Sequence, residues 1–424
     1  ESPPLDLALL DRRLNAPDKT PVAVAFSGGG DSLALLLGAK TWSERSGRPL
    51  IALTVDHRLR PEGAAWARFA AERAARLGVE HRTLAWMGEK PASGLPAAAR
   101  AARHALLAEA AREADARVVL MGHTADDVME AQLMRQAGSS VPAPREWSPS
   151  PAWPEGRGVF LLRPLLGCRR ADLRDWLADQ GERWIEDPAN DDPRFARTLA
   201  RRRLAEQGGE TTPPASPPAA DLAGVIVGEA GELTLSRAAF RALGATEARR
   251  WLAALCLCAA GTRAPPSGAA LDRLTGDLAA SAPVIASLAG ARIEAAGERL
   301  LVCREAGEFR RRGIGTTPLP LGESVFDGRF LMIAGDPGWS VRPLRGVARR
   351  LPPGERARLA ALSAAARSAL PAAVGPAGDI SCPTLATGPP VKVFSLVGER
   401  LMAALGALQD EAALWRVAKL TLGA

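Results

Sequence analysis

Residues 22–37, VAVAFSGGGDSLALLL, decide the fold. Positions 22–26 are apolar and partly β-branched, the composition of a buried strand. Ser27, Gly28, Gly29 and Gly30 follow, where the backbone turns sharply with no Cβ in the way. Asp31 and Ser32 are helix-start residues, and residues 33–37 continue as an apolar helix. A strand feeding a glycine loop feeding a helix N-terminus is an anion site. Backbone N–H groups point outward and the helix dipole favours negative charge. The anion expected on residues 27–32 is a phosphate.

Two common nucleotide loops do not fit. No Gly-Lys-Ser/Thr follows the glycines, and the spaced glycines of the dinucleotide fingerprint are missing. SGGGDS at 27–32 instead resembles the SGGxDS loop of the pyrophosphatase-type ATP enzymes, which cleave ATP between the α- and β-phosphates. The bland alternative is a glycine-rich turn with no ligand. A strand before the loop and a helix after it favour the nucleotide.

With 424 residues the chain has room for two or three domains and a sizeable core. A net charge of +7 permits a polyanionic partner such as nucleic acid without proving one. The five cysteines, at 168, 256, 258, 303 and 382, form no C-x-x-C pair, which argues against a cluster, a zinc site or a disulfide framework. No apolar stretch is long enough to cross a bilayer and none reads as a signal peptide, so no membrane and a cytoplasmic location are expected.

Working outward, 5–14 reads as a helix, 49–56 as a second strand and 64–77 as a helix. A strand at 81–85, a helix at 97–114 and a strand at 117–122 follow. Strands alternating with helices imply βαβ units and a parallel sheet. Asp56 and His57 stand at the carboxyl end of the second strand, where ligands gather in such sheets. The strand ending at 122 delivers GHTADDVME, residues 122–130. If a helix begins near Thr124, Asp127 and Glu130 share one face, with His123 beside them. Such a group suits a metal, a cationic substrate or a transferable proton. The alternative is an acidic cap on a solvated turn. Its place, two βα units after the glycine loop, favours the site.

Residues 137–158, rich in Pro, Ser, Gly and Trp, read as a long irregular loop. Trp147, Trp153 and Arg145 within it suit local packing somewhat better than stacking on bases. Residues 159–166 read as a last strand or extended segment and 170–180 as a helix, and 184–195 as an acidic turn running into Arg197 and Arg201. Residues 208–218, GGETTPPASPP, read as a linker. Four parts are therefore expected: a catalytic domain at 1–207, a linker at 208–220, a substrate-binding domain at 221–304 and a C-terminal domain at 305–424. All four histidines precede residue 124, so the later parts suit binding rather than chemistry. The basic stretches at 304–312 and 345–350 suit a nucleic-acid body.

Taken together, SGGGDS, VDHRLRPE at 55–62, AARAARHALLAEAA around Arg103, GHTADDVME, RPLL at 163–166 and WIEDPANDDPRFARTLAR at 184–201 resemble the bacterial tRNA(Ile)-lysidine synthetases. The second half matches loosely, through LSRAAFRAL at 235–243, the arginine-rich connector and FDGRF at 326–330. The resemblance implies an α/β fold: a PP-loop, adenine nucleotide α-hydrolase-like domain with a parallel sheet, followed by smaller α/β tRNA-binding domains. It implies ATP and Mg²⁺, free L-lysine, and a tRNA(Ile) with a CAU anticodon. ATP would adenylate O2 of the wobble cytidine, and the ε-amine of lysine would attack C2 and expel AMP. Ser27, Gly28, Gly29, Gly30, Asp31, Ser32, Asp56 and His57 would hold ATP, with Asp31 on the metal. Arg103, Asp127, Glu130 and Arg201 would hold substrate. Asp31, His123, Asp127 and Arg197 would be catalytic.

The chain departs from that family where His104 replaces the frequent tyrosine, in Arg197-Thr198-Leu199-Ala200-Arg201, and in the Pro/Trp loop. Competing readings are a tRNA thiolase on the same loop, which commonly uses a cysteine pair, a glutamine-dependent ligase, for which no amidotransferase segment is evident, and a non-catalytic RNA-binding protein. Oligomeric state is not set by the sequence; a homodimer is one arrangement open to it.

Overall fold

In the computed structural model, which describes residues 5–14, 19–139, 142–187, 196–207 and 219–422, the apolar run before the glycine loop is a central strand. Val22, Ala23 and Val24 are wholly buried in β1 (Val22–Ala25). Its companions are β2 (Leu50–Asp56), β3 (Glu80–Ala85), β4 (Val118–Leu120), β5 (Trp147–Pro149) and β6 (Phe160–Leu162), in the order β3-β2-β1-β4-β6-β5. Val22 pairs with Leu50 on one side and Ala23 with Val119 on the other, both in parallel. The helices are α1 (Leu7–Arg13), α2 (Gly30–Ser46), α3 (Gly63–Arg76), α4 (Leu95–Glu113), α5 (Ala125–Gln136), α6 (Arg170–Asp179) and α7 (Ala196–Gln207). The expected α/β architecture with a parallel sheet is present. Strand order reverses between β1 and β4, so the turns after both open on one crevice at the carboxyl edge, the usual ligand position.

Sequence and structure part company at residues 137–158. Among the described residues of that segment lies β5, antiparallel to β6, with Trp147 opposite Leu162. Trp147 is buried, stacks on Phe160 at 5.0 Å and donates its indole N–H to the Leu408 carbonyl at 2.8 Å. Trp153 is buried as well. Burial of two large apolar rings outweighs the turn propensity of the prolines around them, and proline is tolerated on an edge strand. The expected linker at 208–218 lies outside the described residues.

The chain forms two compact units, Glu1–Pro218 with Leu408–Arg416, and Ala219–Ala407 with Val417–Ala424. The last helix, Glu411–Leu422, opens in the first unit. There Glu411 pairs with Arg48, and Arg117 lies 4.7 Å over the Trp415 ring.

Among the described residues the second unit has two apolar cores. One lies under an antiparallel sheet, β7 (Ile226–Val227), β8 (Leu233–Ser236), β9 (Val284–Leu288), β10 (Ala291–Ala296) and β11 (Arg299–Arg304), in the order β7-β8-β11-β10-β9. The helices α8 (Arg237–Ala242), α9 (Ala245–Ala260) and α10 (Ala269–Ala279) cover it, α9 burying Trp251, Leu252 and Leu255. In the other, Phe330–Ala334 pairs antiparallel with Val391–Ser395. The FDGRF stretch is structural. Asp327 receives Arg304 at 2.7 Å and Arg329 at 2.9 Å, all three buried. Part of the basic connector at 304–312 is therefore spent internally, since Arg311 and Arg312 also pair with Glu308.

Candidate active site

The glycine loop is shaped by its own side chains. Gly28 has φ +84°, a conformation closed to most L-residues, and a Cβ there would lie 2.5 Å from Ile185 Cδ1. The Ile185 N–H donates to the Gly28 carbonyl at 2.9 Å. Helix α2 begins at Gly30 with Gly29 as its cap, one turn position earlier than the expected start. Ser32 is inside the helix instead, where its Oγ donates to the Gly29 carbonyl at 2.9 Å and accepts the Ser27 N–H at 3.2 Å. Both loop serines are thus taken up with the loop itself, their hydroxyls 3.1 Å apart. Just after β4, a Cβ on Gly122 would stand 3.2 Å from the Asp31 carbonyl oxygen, tight enough that the α2 backbone would have to yield.

Helix α5 starts with a capping box. Thr124 donates to Asp127 Oδ2 from its N–H at 2.8 Å and its hydroxyl at 3.1 Å. Asp127 therefore caps a helix as well as lining the crevice. Both it and Glu130 are buried, Glu130 only 1 % exposed. A buried carboxylate needs a cationic partner, and α6 supplies one that the sequence reading missed. Arg170 donates from Nε to Asp31 Oδ2 at 3.0 Å and from a terminal nitrogen to Glu130 Oε1 at 3.2 Å. Its other terminal nitrogen lies 3.6 Å from Asp127 Oδ1. Arg201 Nε joins Glu130 Oε1 at 2.7 Å. One signal was available in the sequence. Arg169 and Arg170 sit in succession at the start of a helix, where positive charge opposes the dipole.

Burial alone would lower the Arg170 pKa, but Asp31, Asp127 and Glu130 outweigh it and hold the guanidinium above its ordinary value. Burial raises the Asp31 carboxyl, which Arg170 offsets in part and Asp127 reinforces. Asp31 Oδ1 is buried with no hydrogen-bond partner.

His123 stands in the turn between β4 and α5. Its Nδ1 accepts from Arg163 Nε at 3.2 Å, so the neutral ring carries its proton on Nε2 and is a donor there rather than a base. Arg163 also donates to the Arg145 carbonyl at 2.7 Å and to Ser148 Oγ at 3.0 Å. Burial, then the charges of Arg100 and Arg103, push its pKa down to about 10. His104 is buried with both ring nitrogens unpartnered, and burial followed by Arg103 pushes it down to about 2. Arg103 also acts on His57, whose pKa falls through burial first. The structure thus sets Arg103 among His57, His104 and Arg163. Asp56 accepts the Arg58 N–H at 2.8 Å, and the His57 ring meets Trp86 edge to face at 6.1 Å. The Arg197 side chain and residues 188–195 fall outside the described residues.

Residues 8–207 match the family model of the PP-loop domain. A tRNA(Ile)-lysidine synthase of Caulobacter vibrioides is 46% identical over 95% of this chain and 98% of its own length. The chain belongs to the tRNA(Ile)-lysidine synthase family. A second relative of that name, from Hyphomonas neptunium, is 40% identical over 71% of this chain and 84% of its own. Among solved structures, the U34-tRNA thiolase NcsA of Methanococcus maripaludis with its [4Fe-4S] cluster aligns at TM-score 0.39 and 16% identity, over 47% of this chain and 71% of that one. Membership in the lysidine synthase family sets aside the thiolase, glutamine-ligase and non-catalytic readings. The PP-loop match spans the glycine loop and α5 to α7, so every carboxylate and arginine of the site lies inside it. Among the described residues no group of three or more His, Cys, Asp or Glu could hold a metal, and no helix is long and apolar enough to cross a membrane.

Proposed function

We propose that the crevice beyond β1 and β4 is where this chain makes lysidine, with ATP on residues 27–32 and lysine on the α5 carboxylates. The activity itself is ATP-dependent formation of lysidine in tRNA(Ile). One observation carries the placement: a single guanidinium, Arg170, is hydrogen-bonded to Asp31 of the glycine loop and to Glu130 of α5. The two halves of the reaction therefore share a site.

In the first half, cytidine O2 attacks the α-phosphorus of ATP and pyrophosphate leaves. N–H groups of the loop and the α2 N-terminus stabilise the leaving charge. The unpartnered Asp31 Oδ1 suits Mg²⁺, which is commonly held by one or two carboxylates together with substrate phosphates. That ion would neutralise phosphate oxygens. Asp56 and His57 line the adenosine side. In the second half, the ε-amine of lysine attacks C2, AMP leaves with the bonding electron pair, and the nitrogen loses its extra proton. Asp127 and Glu130 grip an ammonium group of lysine, and Arg103 takes its carboxylate as a planar fork. His123, a donor through Nε2, steadies the negative charge that develops as the adenylate forms and departs. Arg197 and Arg201 serve the adenylate or tRNA phosphate. Residues 221–304 and 305–424 take the tRNA body and the CAU anticodon, the location is the cytoplasm, and a homodimer is compatible with all of it.

The test is AMP release and lysine incorporation with ATP, lysine and CAU-anticodon tRNA(Ile). Asp127→Asn with Glu130→Gln should raise the lysine KM at least about tenfold, since each charged hydrogen bond is worth roughly 1.5–3 kcal/mol, with the ATP KM little changed. A risen ATP KM with an unchanged lysine KM would assign these carboxylates to the nucleotide.

A further inference from the structure

Arg170 already occupies the position that a lysine ammonium would need. Its three nitrogens lie 3.0 Å from Asp31, 3.2 Å from Glu130 and 3.6 Å from Asp127. Arg201 adds a second contact to Glu130. Other arginines act on the group too, Arg174 on Asp31 and Arg163 on Asp127. Among the described residues, Arg170 is the cation that reaches all three carboxylates. A lysine ammonium reaching Asp127 and Glu130 must therefore compete with it.

ATP changes that competition. Residues 27–32 would place several negative phosphate oxygens at the N-terminus of α2, and Asp31, in its first turn, is bonded to Arg170 Nε. A guanidinium matches two phosphate oxygens at once, a geometry that an ammonium cannot reproduce. Phosphates thus attract Arg170 more than they attract lysine, while the α5 carboxylates accept either cation.

We propose that Arg170 is a placeholder cation, filling the lysine-ammonium position until the phosphates of ATP draw it away, so that lysine binds well only after ATP. The proposal rests on the reading of Asp127 and Glu130 as the lysine site. It keeps those buried carboxylates paired in the meantime, where bare ones would be costly. It also matches the chemical order, since lysine has nothing to attack before the adenylate forms.

The experiment measures L-lysine affinity for the full chain by saturation-transfer NMR, with and without Mg²⁺ and a non-hydrolysable ATP analogue. Couplings between sites typically span about 5–150-fold. In the wild type the lysine Kd should fall at least about tenfold when the analogue is present, and by reciprocity lysine should tighten the analogue by the same factor. In Arg170→Met the ratio should shrink to within about twofold, chiefly because lysine binds better without the analogue. If that variant does not fold, Arg170→Lys carries the test. A point charge cannot span three carboxylates and two phosphate oxygens, so its ratio should drop at least about threefold. A wild-type ratio within about twofold, no lysine binding in either condition, or an unchanged ratio in the folded variants would overturn the placeholder. Glu130→Gln separates this from the lysine site itself. Lysine affinity unaffected by Glu130→Gln would sink the site, whereas affinity lost there with no coupling in the wild type would sink the placeholder alone.

Discussion

Glu411→Ala should loosen the first unit although the residue lies more than 360 positions from its partner, Arg48. Glu411 is 0 % exposed and Arg48 7 %. The guanidinium gives Glu411 two hydrogen bonds, at 2.7 and 3.1 Å, and gives the Thr20 carbonyl two more, at 3.1 and 2.7 Å. Deleting the carboxylate leaves a buried cation with half of those bonds, a change that costs about 3–5 kcal/mol. The Thr20 contacts persist, which places the expected loss at about 3 kcal/mol. Arg48 stands just before β2, so the opening that results should expose β1 and β2. The assay is native-state hydrogen exchange on peptides from Val22–Ala25 and Leu50–Asp56. Protection there should fall about a hundredfold, at a factor of ten per 1.36 kcal/mol, while peptides from Arg299–Arg304 in the second unit keep theirs. Arg48→Met with Glu411→Leu should recover most of the loss, because no unpaired charge remains. A change below about fivefold in Glu411→Ala, or a double variant no better than the single one, would refute the reasoning. A chain ending near Glu206 lacks Glu411 altogether, so it should show the same weakness and bind ATP only as a less stable domain.

Asp31→Asn should abolish AMP release and leave the protein folded. Burial raises this carboxyl above its ordinary 3.8, so what it contributes to stability is present below that value and lost as pH rises through its folded pKa. The variant should therefore melt at or above the wild-type temperature at neutral pH, with the advantage vanishing in acid; thermal scans across pH would show it, and a lower neutral melting temperature would count against it. Gly28→Ala forces a side chain into the left-handed region, at about 1–2 kcal/mol, and presses on Ile185. The ATP KM should rise about tenfold with the lysine KM at saturating ATP unchanged, as steady-state kinetics would read. Reversing Arg310, whose neighbours Arg311 and Arg312 are already paired with Glu308, should weaken tRNA binding. If Arg310 meets a phosphate, the slope of log affinity against log salt should fall by about 0.9 in a filter-binding series; an identical slope would remove it from the tRNA surface.

What the sequence determined by itself is local. A strand, a glycine turn and a helix start follow from backbone preferences within sixteen residues, and the shared face of Asp127 and Glu130 follows from helical period alone. Tertiary structure decided the rest. Arg170 meets Asp31 across 139 residues and Glu130 across 40, and nothing beside it in the chain names either partner. Trp147 became a strand residue because Phe160 and the Leu408 carbonyl were there to receive its ring and its N–H. Arg304, part of what read as nucleic-acid-binding charge, was turned inward by Asp327, which holds Arg329 as well. With 54 basic and 47 acidic side chains, each charge has dozens of possible partners. Dihedral preference and periodicity act over a few residues, whereas ion pairing is chosen by whichever groups the topology brings together out of water, and that choice leaves no local trace.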